Sequence, residues 1–318
     1  MRSIISKEIK PDLVCVTGAL GLLGQKLLEI LSSSYEILAL DLQAEGFISL
    51  PQIFYQQVDI SDQNQLNSAI EEWSFLPEVM INTAAYTDVD GCEIDKEKAW
   101  KVNGDGVKNL VDICKEANHQ DASHIKLVHL STDYIFDGKK GPYSEDDLPN
   151  PLSYYGKTKL ESEKTINENL DDFIIVRSNV LYGAGRNVKP NFVLWAINKL
   201  KENQKINVVN DQYNNPTLAD NLACAIVELI SNKFSGVINI AGREYLSRYD
   251  FALKIAEKFG LNKENILPIQ TSQLHQPAPR PLKGGLKIEF AQKILKTKLL
   301  DVNEGLDVVK KQLQVSGV

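Results

Sequence analysis

A chain of 318 residues with 43% hydrophobic and 24% charged side chains has the composition of an ordinary soluble globular protein with room for one or two domains. A net charge of −7 without Lys/Arg clusters argues against a nucleic-acid surface, and no apolar run approaches the roughly 18 residues of a membrane span. The opening MRSIISKEIKPD lacks the apolar core of a signal peptide, so a cytoplasmic location is expected.

Cys15, Cys92, Cys114 and Cys224 stand singly, without the pairing of a zinc site or a disulfide frame. His119, His124 and His129 fall five residues apart, the wrong step for one face of a helix or a strand, so no metal site is expected.

The apolar run Leu13 to Thr17 leads into GALGLLG and then into a helical pattern. Strand, glycine turn and helix in that order suit a dinucleotide pyrophosphate, which backbone N–H groups and the positive end of the helix can hold. Gly18, Gly21 and Gly24 form G-x-x-G-x-x-G, a variant with one extra residue between the first two glycines. Gly18, Leu20, Gly21, Leu22 and Leu23 are the expected contacts.

A second strand, Tyr35 to Asp41, ends in an acid about twenty residues on, where a carboxylate accepts from both adenine-ribose hydroxyls. No Arg or Lys lies between Leu42 and Gly46, so Asp41, with Leu42 beside it, favours NAD(H) over NADP(H). A third strand, Ile53 to Val58, brings Asp59 and Ile60 to the adenine edge, and Asp62 to Trp73 is helical with Asp62 as its cap.

Val79 to Asn82 is a fourth strand running into TAAYTDVD, where Ala84 and Ala85, followed by Tyr86, allow a cofactor to approach closely. Glu93 to Ala117 is mostly helical and carries Asn103. Lys126 to Ser131 is a fifth strand with Thr132 at its end. Ligands of open parallel sheets bind beyond the carboxyl ends of the strands, and the glycine turn, Asp41, Ala84 and Thr132 share that edge.

Pro142, Pro149 and Pro151 then break helix, and a helix starts cleanly at Ser153. Tyr155 and Lys159 are one turn apart on its face. A lysine ammonium near a phenol lowers the phenol's pKa and readies it for proton exchange, although such spacing also arises by chance.

Phe173 to Arg177 is a sixth strand, left by the long loop RSNVLYGAGRNVKPNF. Asn191 to Leu200 is helical, Ile206 to Val209 a short strand, and DQYNNPT a polar turn. Leu218 to Ile230 and Arg248 to Phe259 read as amphipathic helices around a strand at Val237 to Ile240. Gln276 to Gly285 is loop, and its Arg280 is either a phosphate contact or a solvated side chain.

The expected fold is α/β: a Rossmann-type doubly wound parallel sheet with a small C-terminal α/β substrate lobe. Residues 1–178 form the nucleotide-binding domain and 179–318 mainly the lobe, with some segments returning to the sheet.

In order along nearly the whole chain, TGALGLLG, NTAAYTDVD, STDYIFDG, PYSEDDLPNPLSYYGKTKLESEK, Asn191-Phe192, DQYNNPT and Arg280-Pro281 resemble the extended short-chain dehydrogenase/reductase family, specifically its dTDP-4-dehydrorhamnose reductase branch. The resemblance implies an NAD(P)H-dependent reduction of a C4 ketone on a nucleotide-linked 6-deoxysugar, with Thr132, Tyr155 and Lys159 catalytic and Tyr155 as proton donor. Asn103, Ser131, Tyr155 and Lys159 would also serve the cofactor. Thr87, Tyr134, Asn179, Val180, Asn191, Phe192, Gln212 and Arg280 would face the substrate, and a homodimer is possible.

Departures from the branch set limits on specificity. Val180 stands where rhamnose-type reductases carry a tryptophan, and Lys283-Gly284 replace an Asn-Ser. Asp133-Tyr134 in place of the Asp-Glu of 4,6-dehydratases argues against dehydration. The regulatory β subunit of methionine adenosyltransferase is similar to the same branch and is the rival reading, together with another sugar-nucleotide oxidoreductase or epimerase. The intact Thr, Tyr and Lys set favours the reductase.

Overall fold

The computed structural model of the protein describes residues 13–44, 50–73, 76–118 and 124–315. His119 and the first twelve residues, on which two of the expectations above rest, lie outside them.

The short apolar runs become strands of one sheet, and in the first half their limits lie close to those read from the sequence. β1 is Leu13–Thr17, β2 Glu36–Asp41, β3 Ile53–Gln57, β4 Val79–Asn82, β5 Lys126–Thr132 and β6 Phe173–Ser178. A seventh strand, Gly236–Asn239, comes from the later chain and pairs with β6. The order is seventh strand, β6, β5, β4, β1, β2, β3, and every pairing is parallel. The expected doubly wound sheet is present. The order reverses at β1 and β4, so the crevice where cofactors bind lies between their carboxyl ends.

Alternate residues of β1 serve opposite faces. Val14 and Val16 pack on Leu23 and Leu27 of helix α1 (Leu22–Leu31) and on Leu222 and Ile226 of a later helix, while Cys15 faces the other core. That second core draws on α2 (Gln63–Glu71), which Asp62 caps through the backbone N–H groups of Asn64 and Gln65.

The stretch expected to be mostly helical over 93–117 is so, in separate pieces. α3 (Val89–Ile94) and α4 (Lys96–Trp100) are separate because Asp88 and Asp95 each cap a fresh start; a π-helical turn, Lys101–Asp105, then leads into α5 (Gly106–Asn118). α6 (Tyr154–Asn169) begins as expected at Ser153, whose hydroxyl accepts from the Gly156 N–H at 3.1 Å.

Beyond β6 the chain builds a second unit on its own core, formed by α7 (Phe192–Lys201), α9 (Arg248–Phe259) and α11 (Val302–Val315), while α8 (Ala219–Ser231) returns to cover the sheet. α10 (Glu289–Ile294) lies beside the seventh strand. Three two-stranded pieces were not anticipated in full. Leu181–Tyr182 pairs with Thr217–Leu218, Tyr213–Asn214 with Leu246–Ser247, and Ile206–Val209 with Ile266–Ile269.

Candidate active site

The glycine turn is shaped for close approach. Gly18 has φ +68°, and a Cβ there would meet the Ala84 backbone nitrogen at 2.6 Å, so the turn lies directly on the loop that leaves β4. A Cβ on Gly24 would strike the Gly18 carbonyl oxygen at 2.2 Å. Gly21 differs: it is exposed, no side chain caps α1, and its Cβ would meet only Gly18 O at 3.2 Å. The positive end of α1 is therefore open to an anion beside Leu20, Leu22 and Leu23, a cradle that fits a dinucleotide pyrophosphate.

Asp41 stands next to this cradle, where its Oδ2 accepts from the Leu20 N–H at 2.9 Å and its Oδ1 from the Gln43 N–H at 3.2 Å. Leu42 is 59% exposed, an apolar surface at the same edge. The Asp59 carboxylate is taken by Ser61, through both its N–H and its hydroxyl, and Ile60 is buried, so this pair shapes the third-strand loop.

Thr132, Tyr134 and Tyr155 come together at the end of β5. Tyr134 and Tyr155 meet edge to face at 5.8 Å between centroids, and the Tyr134 N–H donates to the Thr132 hydroxyl at 3.2 Å. Burial pushes the Tyr155 phenol up, with a hydrogen bond from Thr132 opposing it. The phenol is therefore protonated around neutrality.

Lys159 is bonded to partners on β5. Its Nζ contacts the Leu130 carbonyl oxygen at 2.7 Å and His129 Nε2 at 2.9 Å, and no hydrogen bond joins it to the phenol. Burial brings its pKa down to about 7, with Glu163 opposing.

Several expected contacts also bond within the protein. Asn103, in the π-helical turn, clamps Tyr86 through both its N–H and C=O and also donates to Thr158 Oγ1 at 3.0 Å. The Ser131 hydroxyl donates to Glu163, which in turn holds Arg177 at 2.7 Å. Asn191 caps α7 and donates to the Gly183 carbonyl oxygen at 2.7 Å, and Gln212 donates to Thr271 at 3.1 Å. These residues hold the site's loops in place. Arg280, read as a phosphate contact or a solvated side chain, is not simply solvated: Asp90 binds its guanidinium in bidentate fashion.

Others remain open to a ligand. Asp133 is fully buried and draws Asn179 Nδ2 and the Gly285 N–H onto Oδ2, each at 3.0 Å, which leaves Asn179 Oδ1 buried without a partner. Val180 takes φ 44°, a left-handed backbone that a β-branched residue rarely adopts. Ala84 and Ala85 are partly exposed and Thr87 is exposed. Lys283 and Arg280 line a shallow groove of about 430 Å³ with Leu152 and Leu282.

Arg248 was missed by the sequence reading. Its guanidinium lies over the Phe192 ring at 5.1 Å, close enough to Asp133 to feel its charge, and has no hydrogen-bonded carboxylate partner among the described residues. An arginine at the first position of a helix resembles any surface arginine in one dimension, so no signal marked it. His129, set aside as a metal ligand, and Asn82 were also missed; no cluster of metal-ligating side chains occurs among the described residues.

Residues 13–315 match the family model described as RmlD substrate binding domain. The chain is similar to a probable low-salt glycan biosynthesis reductase, Agl14, of Haloferax volcanii, at 32% identity over 86% of this chain and 89% of the other. It is similar at 32% to a dTDP-4-dehydrorhamnose reductase of Aggregatibacter actinomycetemcomitans (87% and 91%), and at 32% to methionine adenosyltransferase 2 subunit beta of Bos taurus (81% and 75%). Among solved structures, a dTDP-4-dehydrorhamnose reductase of Bacillus anthracis in complex with NADP superposes with a TM-score of 0.82 at 29% identity, over 96% of this chain and 99% of the other.

Proposed function

Because this chain belongs to the RmlD substrate binding domain family, we propose that it is an NAD(P)H-dependent reductase of a nucleotide-linked 4-keto-6-deoxysugar. The observation that carries this reading is the grouping of Thr132, Tyr134 and Tyr155 at the carboxyl end of β5, on the sheet edge that also bears the open glycine turn.

Gly21 and the first N–H groups of α1 would hold the cofactor's pyrophosphate, Asp41 its adenine ribose, and Lys159 the ribose next to the reacting ring. When bound, the nicotinamide supplies the hydride for C4 of the sugar. The Tyr155 phenol, kept protonated by burial, gives its proton to the C4 oxygen, and the Thr132 hydroxyl hydrogen-bonds the same oxygen. Asn179 Oδ1, buried and unpaired, is an acceptor for a sugar hydroxyl. Arg248, which no carboxylate hydrogen-bonds among the described residues, presents a charge suited to the substrate diphosphate.

Residues 13–178 would then act as the nucleotide-binding domain and most of the later chain as the substrate lobe. Sedimentation and cell fractionation test the homodimer and the cytoplasmic location that complete this reading; among the described residues no helix is long and apolar enough to cross a membrane.

The decisive assay follows NADH and NADPH oxidation against a panel of nucleotide-linked 4-keto-6-deoxysugars. Oxidation with at least one sugar is expected. Tight cofactor binding without oxidation by any of them, together with stable association with a methionine adenosyltransferase, would move the protein to the regulatory reading.

A further inference from the structure

A row of buried polar groups runs beneath the site from β1 to α6. The Thr17 hydroxyl donates to Asn82 Oδ1 at 2.7 Å, and the Ala84 backbone N–H donates to the same oxygen at 3.0 Å. Asn82 Nδ2 lies 2.9 Å from His129 Nδ1, and His129 Nε2 lies 2.9 Å from Lys159 Nζ. Thr17, Asn82 and His129 are all at most 1% exposed and Lys159 is 2% exposed, so water cannot reconcile mismatched donors.

The hydrogens in this row can be assigned from one end. A peptide N–H only donates, so Ala84 fixes the Asn82 amide with its oxygen toward β1 and its NH₂ toward His129. An amide NH₂ only donates, so His129 Nδ1 must be the bare nitrogen. A neutral imidazole then carries its one hydrogen on Nε2, aimed at Lys159 Nζ. An ammonium has three donors and no acceptor, and would oppose that hydrogen. Adding a proton to the imidazole only creates a second clash, at Nδ1. One assignment satisfies every contact: Lys159 as an amine, accepting from Nε2–H and donating to the Leu130 carbonyl oxygen at 2.7 Å.

The surrounding charges do not upset it. Glu163, one turn along α6, favours the ammonium, but its carboxylate is bound by Arg177 of β6 and Ser131 of β5. Asp133, beyond the end of β5, is held by Asn179 and Gly285. Tyr155, on the preceding turn of α6, is a neutral phenol. Burial pushes both His129 and Lys159 down, the same direction as the hydrogen-bond pattern.

We propose that Asn82 and His129 are positioning residues that keep Lys159 an uncharged amine in the cofactor-free protein, so that binding of the nicotinamide cofactor is coupled to the uptake of a proton at Nζ. This rests on the reading that Lys159 serves the cofactor ribose. The step balances simply: a proton from solvent adds to the Nζ lone pair, no other bond breaks, and the ammonium can no longer accept from Nε2–H. It is thereby released from His129 toward the cofactor, whose negative charge favours the ammonium.

Two measurements on the unaltered protein test this. Long-range nitrogen–proton NMR correlation of His129 in the cofactor-free protein should show hydrogen on Nε2 and none on Nδ1; hydrogen on Nδ1 would overturn the proposal. Calorimetric titration with NADH near pH 8.5, in two buffers of different ionisation enthalpy, should show uptake of about one proton. Binding with no uptake would also overturn it. Failure to bind either NADH or NADPH would sink the reductase reading, whereas the tautomer of the free protein decides the present one independently.

Asn82→Asp adds a directional test. Its carboxylate still accepts from Ala84 and Thr17 but now accepts from Nδ1–H, which turns Nε2 into an acceptor for an ammonium. The tautomer should invert, proton uptake should fall toward zero, and the pH above which NADH affinity declines should rise by about one unit or more. A merely structural role would lower affinity equally at every pH. If the variant does not fold, the two measurements on the unaltered protein still decide.

Discussion

Arg280 and Asp90 meet in a bidentate ion pair, Nη1 to Oδ1 at 2.5 Å and Nη2 to Oδ2 at 2.8 Å, although 190 residues separate them. The Ala278 N–H donates to the same carboxylate at 3.0 Å, so one acid on α3 anchors the loop that walls the shallow groove. Asp90→Asn should destabilise the protein by about 1–2 kcal/mol, the loss of a charge-assisted hydrogen bond at a partly exposed site. The hydrogen bond from Arg280 is the main cause holding Asp90 below its ordinary pKa, so the contribution is complete above about pH 4 and fades as pH falls through the depressed value. Chemical denaturation at neutral and acid pH should show the variant and the parent converging on the acid side.

Tyr155→Phe should fold normally and bind cofactor as before while losing about 10²–10⁴-fold in turnover, since only the proton donor is removed and the ring still packs on Tyr134. Steady-state rates and a fluorescence titration with NADH separate the two effects. Normal turnover would mean that another group supplies the proton.

The residues that made the nucleotide-binding half legible are those whose spacing the backbone itself enforces. Leu13–Thr17 and Val79–Asn82 are four- or five-residue apolar runs bounded by turns, and their limits were read to the residue because a strand buried on both faces needs such a run. Gly18 and Gly24 were legible because only glycine fits where a Cβ would strike backbone. The later chain was harder. Leu181–Tyr182 and Leu246–Ser247 are two residues each, too short to carry any period. Arg280 showed its proline-rich loop but not its partner, and Lys159 showed its spacing from Tyr155 but not His129, which reaches it from another element. Side-chain pairing across elements leaves no periodic trace.

Asp41 should make NADH bind at least as well as NADPH, because a carboxylate already ordered by the Leu20 N–H would repel a 2′-phosphate. Asp41→Ser should shift the ratio of dissociation constants toward NADPH by about tenfold, in line with one unit-charge repulsion of ~1 kcal/mol or more at a solvated edge. Parallel titrations with both cofactors check it; a parent that clearly prefers NADPH would show that the carboxylate does not face the ribose.

Val180, where the resemblance implies the tryptophan of rhamnose-type reductases, lies on a left-handed backbone at φ 44°. Loss of a flat apolar wall should let the pocket accept several 4-keto sugar nucleotides, and Val180→Trp should narrow that range. Val180→Gly should instead stabilise the loop conformation by relieving about 1 kcal/mol of backbone strain, though greater freedom of the unfolded chain offsets part of this. Rates across the sugar panel and thermal unfolding distinguish the two variants. An unchanged panel with tryptophan would place the sugar elsewhere.

The return of Gly236–Asn239 to lie beside β6, and of α8 to cover Val14, Val16, Leu23 and Leu27, means that the chain cannot be divided by a single cut. A fragment ending at Ser178 would keep every residue of the glycine turn, yet β6 would become a bare edge and one sheet face would lose its cover. Ile174 and Val176, fully buried in the whole protein, would then face solvent next to unpaired backbone groups, the arrangement that templates strand addition from a second molecule. Such a fragment should self-associate before it binds any dinucleotide.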